Sequence, residues 1–158
     1  MNREPFAAID RLLIDGNNLL HRRSGGADPG ALRALLPRLS AVVPTHVNTI
    51  VMLDGHAAPG SGRVQRIRPG LEIRQAGSLS ADEALLNLVR DGPRGTTLVS
   101  DDRALRDKAM SFGAHTVRLA WLEELLNPQQ RGPGQQRPPP PLGNRRPPGP
   151  PPPPGKRR

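Results

Sequence analysis

Cysteine and tyrosine do not occur in the 158-residue chain, and aromatic residues make up only 2% of it. Without cysteine, the protein has no disulfide bond, no thiolate metal site and no cysteine nucleophile. Long apolar runs are also lacking, since none approaches the ~20 residues that a membrane-spanning helix needs. The N-terminal segment has Glu4, Pro5 and Asp10 where a signal peptide needs an uninterrupted apolar stretch. We therefore expect a cytoplasmic protein with no membrane partner.

Acidic residues are missing from the last part of the chain, where the prolines are concentrated. Residues 127–158 hold 13 of the 20 prolines, seven basic residues and no acid, so the net charge of +9 falls to +2 for residues 1–126. Such a segment has too little apolar surface to fold. We expect a folded domain over 1–126 and a disordered, polyproline-rich tail over 127–158. The tail's composition fits an RNA tether, and equally a solubilising appendage or a proline-rich ligand.

The folded part alternates between short apolar runs and amphipathic segments. Helix signals include Asp28-Pro29 at one N-terminus and a capping box, Ser80-Ala81-Asp82-Glu83, at another. A Gly- and Pro-rich stretch at 55–70 predicts a loop. Helices that alternate with parallel strands cover both faces of a sheet, so the sequence predicts a three-layer α/β fold. The five predicted buried strands lie around residues 12–14, 47–53, 71–73, 96–99 and 115–119.

Aspartates stand where the predicted strands end. Ligands of open parallel sheets bind beyond these ends, and a strand order of 3-2-1-4-5 would bring Asp15 and Asp101 together. Clustered carboxylates repel one another, and a hard divalent cation such as Mg²⁺ or Mn²⁺ relieves the repulsion. Alone, Asp82, Asp101 and Asp102 are more typical of a helix cap, and Asp54 could be part of a turn. Asp15 ends a buried strand and is harder to explain in this way, and the shared edge of all five favours a metal site. The candidate ligands are Asp15, Asp54, Asp82, Asp101 and Asp102.

Other catalytic motifs are missing from the sequence. It has no glycine-rich phosphate loop, no nucleophile elbow and no paired histidines for zinc. The histidines are spaced as isolated core or surface residues, although His21 follows the first strand closely enough to approach the aspartates.

Arginines follow the first two strands, in predicted loops on the same edge as the aspartates. They are candidates for contacts with an RNA backbone, and those of the second loop are equally typical of a solvated surface. These arginines are Arg22, Arg23, Arg63, Arg66 and Arg68.

Four segments, in this order along the chain, resemble one family of nucleases. They are similar to the YacP-like branch of the NYN domains, which have a PIN-like nuclease fold, and the likeness covers residues 10–126. Phe112-Gly113-Ala114 extends it. The segments are Leu13-Ile14-Asp15-Gly16-Asn17-Asn18, Val51-Met52-Leu53-Asp54-Gly55, Gly77-Ser78-Leu79-Ser80-Ala81-Asp82-Glu83 and Leu98-Val99-Ser100-Asp101.

The resemblance implies strand order 3-2-1-4-5 and a metal-dependent ribonuclease that hydrolyses RNA phosphodiester bonds. Asn17 stands where the branch usually has an aromatic residue, and Asp101 and Asp102 stay alternatives as the ligand. The alternative function is a non-catalytic RNA-binding or adaptor protein with the same fold. By the resemblance, the catalytic, metal-binding acids are Asp15, Asp82 and Asp101, supported by Asn18 and Ser100, with Asp54 as a further acid.

Overall fold

The structure is a computed structural model that describes residues 4–25, 28–127 and 155. The chain divides into Met1–Pro128 and Gln129–Arg158. The tail predicted over 127–158 lies outside the described residues apart from Asn127 and Gly155, so its disorder stays a prediction. Among the helices that the structure describes, none is both long and apolar enough to cross a membrane.

Strands and helices alternate along most of the first unit, which opens with a short 3-10 helix at Glu4–Phe6. The described strands are β1 Arg11–Asp15, β2 Asn48–Leu53, β3 Val64–Arg68, β4 Leu71–Gln75, β5 Thr96–Val99 and β6 His115–Val117. The described α-helices are α1 Gly16–Ser24, α2 Pro29–Val42, α3 Ala81–Asp91, α4 Arg103–Ser111 and α5 Leu119–Leu126.

The sheet has the order β3-β4-β2-β1-β5-β6. All neighbouring strands are parallel except β3, which is antiparallel to β4. The five parallel strands have the order predicted from the sequence, 3-2-1-4-5, and the α/β class is confirmed. The predicted strand number is wrong by one, because β3 lies in the segment predicted as a loop. This edge strand is largely exposed and lacks the apolar pattern of a buried strand.

Each face of the sheet packs against its own layer of helices. Successive residues of a strand point to opposite faces. Leu12 and Ile14 of β1 accordingly join one apolar core with residues of α1, α2 and α5, whereas Leu13 joins the other core with residues of α3 and α4. The predicted three-layer arrangement is therefore confirmed.

Helix α1 was not predicted, although two other helix starts are confirmed. Asp28 caps α2, and Ser80 and Glu83 form the capping box of α3. Helix α1 begins directly after β1 and packs closely on β2, since a Cβ atom added to Gly16 would lie 2.7 Å from the carbonyl oxygen of Met52. Glycine at this position lets the helix turn immediately at the sheet edge.

Candidate active site

The carboxyl ends of β1, β2 and β5 meet the first turns of α1, α3 and α4 at one edge of the sheet. An open cavity of about 340 Å³, which we call the acid cavity, lies there. Four of the five predicted acids line it, together with two amides and one imidazole, and none of the lining residues is Lys or Arg. The lining residues are Asp15, Asn17, Asn18, His21, Asp54, Asp82 and Asp102.

Asp15 is the innermost acid, with only 4% of its surface exposed. One carboxylate oxygen accepts a hydrogen bond from the backbone N–H of Asn18 at 3.2 Å, and the other accepts from the Ser100 hydroxyl at 3.0 Å. Burial raises the pKa of Asp15, these hydrogen bonds oppose the rise, and the charge of Asp54 adds to it. Asn18 and Ser100 thus hold the Asp15 carboxylate in position.

Asp54 is held by two elements that face it across the cavity. Its side chain accepts hydrogen bonds from the Asn17 amide at 2.9 Å and from the backbone N–H of Ala81, in the first turn of α3, at 2.6 Å. The backbone N–H of Asp54 in turn donates to the Asn17 side-chain oxygen at 3.0 Å. The carboxylate is therefore fixed between α1 and α3.

The carboxylate of Asp82 makes no hydrogen bond to another residue in the described part of the chain. Its pKa is raised, first by partial burial and then by the negative charges of Asp15, Asp102 and Asp54, while Lys108 opposes the rise. Its neighbour Glu83 has a different role, because the Glu83 carboxylate accepts from the backbone N–H of Ser80 at 3.1 Å within the capping box. Asp82 is thus the acid of α3 that remains available to a ligand.

The adjacent acids Asp101 and Asp102 point to different surroundings. Asp102 lines the cavity and caps α4, accepting from the backbone N–H of Leu105 at 3.0 Å. Asp101 accepts from the backbone N–H of Leu119 at 3.0 Å and pairs with Arg22 at 2.8 Å. The carboxylate of Asp101 therefore links β5 to α5 and α1 and does not line the cavity.

His21 lines the cavity and is absent from the predicted site residues. It lies four residues after Asn17 and three after Asn18, so the three side chains lie on one face of α1. That spacing becomes a signal only when α1 is known to be a helix.

The predicted RNA-binding arginines have different environments. Arg22 and Arg23 lie in α1 rather than in a loop, and Arg22 pairs with Glu123 at 2.8 Å as well as with Asp101. Arg63 donates to the carbonyl oxygen of Ala76 at 3.0 Å, just after the carboxyl end of β4. It therefore lies near the sheet edge for which it was predicted.

The predicted placement of Arg66 and Arg68 in a loop beside the acids is wrong. Both lie in β3, whose antiparallel direction carries Arg68 to the opposite edge of the sheet. There its guanidinium donates to the carbonyl oxygen of Val43 at 2.6 Å, at the C-terminal end of α2. Arg68 is therefore engaged in holding β3 to α2.

The acid cavity offers a divalent cation the ligand type that it prefers. Carboxylate and amide oxygens suit Mg²⁺ and Mn²⁺, and burial together with neighbouring carboxylates raises the pKa of Asp15 and Asp82. Within the described residues, no three His, Asp or Glu side chains are grouped closely enough to hold a metal as they stand. The donor chemistry fits a metal, and a site with three acidic ligands would require a side chain such as that of Asp82 to rotate.

Comparison with known proteins identifies the fold. No protein-family model and no curated protein matches the chain. Two crystal structures of Rae1 (YacP) from Bacillus subtilis, one with a single substitution, match it with a TM-score of 0.58 and 18% sequence identity. The match covers 78% of this chain and 79% or 77% of those chains. The chain therefore has the YacP-like NYN-domain fold that the sequence predicts.

Proposed function

We propose that this protein is a metal-dependent ribonuclease whose site is the acid cavity. One observation carries the proposal: four aspartates from four separate segments of the described chain line one open cavity, and none of the residues that line it is Lys or Arg. Caps and turns account for a single aspartate at a time, but they do not require that all four face the same space. The RNA partner and the cytoplasmic location predicted from the sequence stay predictions.

The residues that would hold the metal are Asp15, Asp54, Asp82 and Asp102. Asp101, predicted as a ligand, is replaced in this proposal by Asp102, because the carboxylate of Asp101 is already paired with Arg22. A bound Mg²⁺ or Mn²⁺ supplies a water of lowered pKa and a positive charge that stabilises the attacked phosphate.

The chain's own residues fix the positions of these acids. Ser100 links two of them, since its hydroxyl donates to Asp15 while accepting from the backbone N–H of Asp102 at 3.1 Å. Asn17 orients Asp54 through paired hydrogen bonds. Asp82 is the acid with the greatest freedom to turn toward a ligand, because no described partner holds it.

RNA is the proposed substrate because the helix that contributes Asn17, Asn18 and His21 to the acid cavity, α1, also carries the exposed side chains of Arg22 and Arg23. Arginine side chains near the acids can contact the phosphates of an RNA backbone. The described part of the chain has few aromatic side chains for base stacking, so backbone contacts provide much of the affinity.

Cleavage of a 5′-labelled single-stranded RNA tests the proposal. We expect cleavage by the full chain with millimolar Mn²⁺ or Mg²⁺, none with EDTA, and none by Asp15→Asn with either metal. The Asp15 variant keeps the shape of the side chain, and circular dichroism checks that it is folded. Cleavage that persists in EDTA, or in folded Asp15→Asn, contradicts the proposal.

A non-catalytic RNA-binding protein is the second candidate. It is favoured by the finding that no three acidic or histidine side chains of the described residues are grouped for metal binding. The same assay separates the candidates, because this second function predicts RNA binding by wild-type and Asp15→Asn protein with no cleavage under any metal condition.

A further inference from the structure

A second cavity of about 250 Å³ adjoins the acid cavity on the side of α2. The two cavities share Asn17 and Asp54, so they lie on either side of this pair of residues. The second cavity lies between the first turns of α1 and α2 and the carboxyl ends of β2 and β4. Its lining residues are Asn17, Leu20, Asp28, Leu32, Leu53, Asp54 and Gln75.

Three leucines form the apolar part of the wall of the second cavity. Leu20 is 3% exposed, and Leu32 and Leu53 pack against the core that lies under α1 and α2. Leu53 and Gln75 are register partners where β2 and β4 end, so the floor of the cavity is the sheet itself. Three leucines around one space suit a flat, uncharged group.

The rim of the second cavity carries hydrogen-bonding groups with spare capacity. The Gln75 side-chain amide has no hydrogen-bond partner among the described residues, and its residue lies on the same face of β4 as Ile73, toward α2. One carboxylate oxygen of Asp28 accepts from the backbone N–H of Gly30 at 2.9 Å, which leaves the other oxygen available. The side chains of Asp54 and Asn17 complete the rim.

Charge decides which part of an RNA chain this cavity accepts. Two carboxylates and no cation line it, so a phosphate is repelled and a neutral group is accepted. Its volume lies just below the about 300 Å³ at which pockets for drug-sized ligands begin, which suits a fragment such as one base. The carboxylates of Asp28 and Asp54 only accept hydrogen bonds, so they favour a base that presents an amino group over one that presents a carbonyl oxygen.

We infer that this cavity, defined by Leu20, Leu32, Leu53, Gln75 and Asp28, is a subsite for one unpaired nucleobase with an exocyclic amino group. The base belongs to a nucleotide that flanks the phosphate at the acid cavity, and the inference rests on the proposed function in that its ligand is RNA. Asp28 is its specificity-determining residue, because its carboxylate can accept from the amino group of cytosine and disfavours the O4 atom of uracil, whereas the Gln75 amide can bind either base.

Binding of two matched oligonucleotides tests the subsite without any cleavage. Fluorescein-labelled hexacytidylate and hexauridylate carry the same phosphates, so nonspecific attraction cancels in the ratio of their dissociation constants at one salt concentration. Anisotropy titrations of the full chain in EDTA should give roughly fivefold tighter binding of hexacytidylate, the effect of about one hydrogen bond. Equal affinity for the two hexamers contradicts the inference.

Three variants locate the preference. Asp28→Asn keeps a side-chain oxygen for the α2 cap and adds a donor, so it should bring the ratio close to one or move the preference toward uracil. Gln75→Ala should weaken the binding of both hexamers, whereas Gln65→Ala, the same change on exposed β3, should leave both dissociation constants at the wild-type values. A ratio in Asp28→Asn that equals that of wild type places the discrimination elsewhere and overturns the assignment.

The outcome is distinguishable from failure of the ribonuclease proposal. Asp82→Asn, changed in the acid cavity only, should retain the preference for hexacytidylate. If the preference is present and no metal supports cleavage, the subsite stands without the nuclease activity. If cleavage occurs and wild type binds both hexamers equally, the nuclease proposal stands and the subsite is refuted.

Discussion

Asn17 and Asp54 hold each other by two reciprocal hydrogen bonds. The Asn17 side-chain NH₂ group donates to the Asp54 carboxylate at 2.9 Å, and the Asp54 backbone N–H donates to the side-chain oxygen of Asn17 at 3.0 Å. This pair ties the first turn of α1 to the end of β2 and separates the acid cavity from the second cavity. An amide at position 17 is thus used to orient an acid.

Loss of this pair should lower stability and release Asp54. Asn17→Ala removes both hydrogen bonds, so we expect the free energy of unfolding to fall by about 1 to 2 kcal/mol, the range for two partly exposed hydrogen bonds. Urea denaturation of the full chain measures the change. Asn48→Ala, at an exposed position on β2, is the control and should change stability little. A loss in Asn17→Ala no larger than in Asn48→Ala contradicts the role given to this pair.

The raised pKa of Asp82 predicts a stability difference that grows with pH. A carboxyl group whose pKa is higher in the folded than in the unfolded state stabilises the fold below its ordinary pKa of 3.8, and this contribution is lost as pH rises through the folded-state value. Asp82→Asn carries no charge at any of these pH values. Without metal, its melting temperature should therefore rise relative to wild type between about pH 4 and pH 7.

Exposed Asp107 on α4 supplies the matched control for this measurement. Asp107→Asn removes one charge of the same sign from a residue that does not line the acid cavity, so we expect no comparable rise in its melting temperature. A difference between Asp82→Asn and wild type that is constant with pH would argue against repulsion within the acid cavity.

The neighbouring acids Asp101 and Asp102 should have separable effects. Asn is a good N-cap residue, so Asp102→Asn keeps α4 capped and should lose cleavage while remaining folded. Asp101→Asn still accepts the Leu119 N–H but loses the half-exposed ion pair with Arg22, which costs no more than about 1 kcal/mol. It should retain cleavage. Cleavage assays and thermal melts of the two variants check this, and the opposite pattern would make Asp101 the ligand.

Close packing of α1 on β2 predicts a large effect at Gly16. A Cβ atom there would lie 2.7 Å from backbone and side-chain atoms of β2, so Gly16→Ala must push the helix away from the sheet. We expect a stability loss of about 1 to 3 kcal/mol, together with reduced cleavage, because α1 carries Asn17 and Asn18. Gly62→Ala, whose nearest atom would be 3.5 Å away, is the control. Similar unfolding curves for the two variants would contradict this reading of the contact.

The parallel sheet was predictable because its strands are buried on both sides. Apolar runs and cap residues such as Asp28 and Ser80 mark most of its elements directly. Two elements have no such marks. Helix α1 begins with Gly16-Asn17-Asn18, residues that disfavour helices and favour turns, and tertiary contact with β2 outweighs that preference. Strand β3 is polar because both the edge and one face are open to water.

The site was predictable as a set of acids but not in its finer choices. Aspartates at strand ends indicate the sheet edge, since the carboxyl ends of parallel strands share it. Asp101 and Asp102 are adjacent and chemically identical, so only the turn after β5 determines which one faces the cavity. Arg68 was misplaced for a related reason, because the direction of β3 determines which edge its side chain reaches.

Cleavage of labelled RNA by Asp82→Asn and Glu83→Gln in Mn²⁺ is the most direct test of whether the acid cavity is the site of RNA cleavage. Both variants lose one carboxylate in the first turn of α3, but Gln can still accept the Ser80 N–H, so the capping box survives. We expect that folded Asp82→Asn cleaves at no detectable rate and that Glu83→Gln cleaves nearly as fast as wild type. Equal cleavage by wild type and both variants, or equal loss in two folded variants, would contradict this expectation.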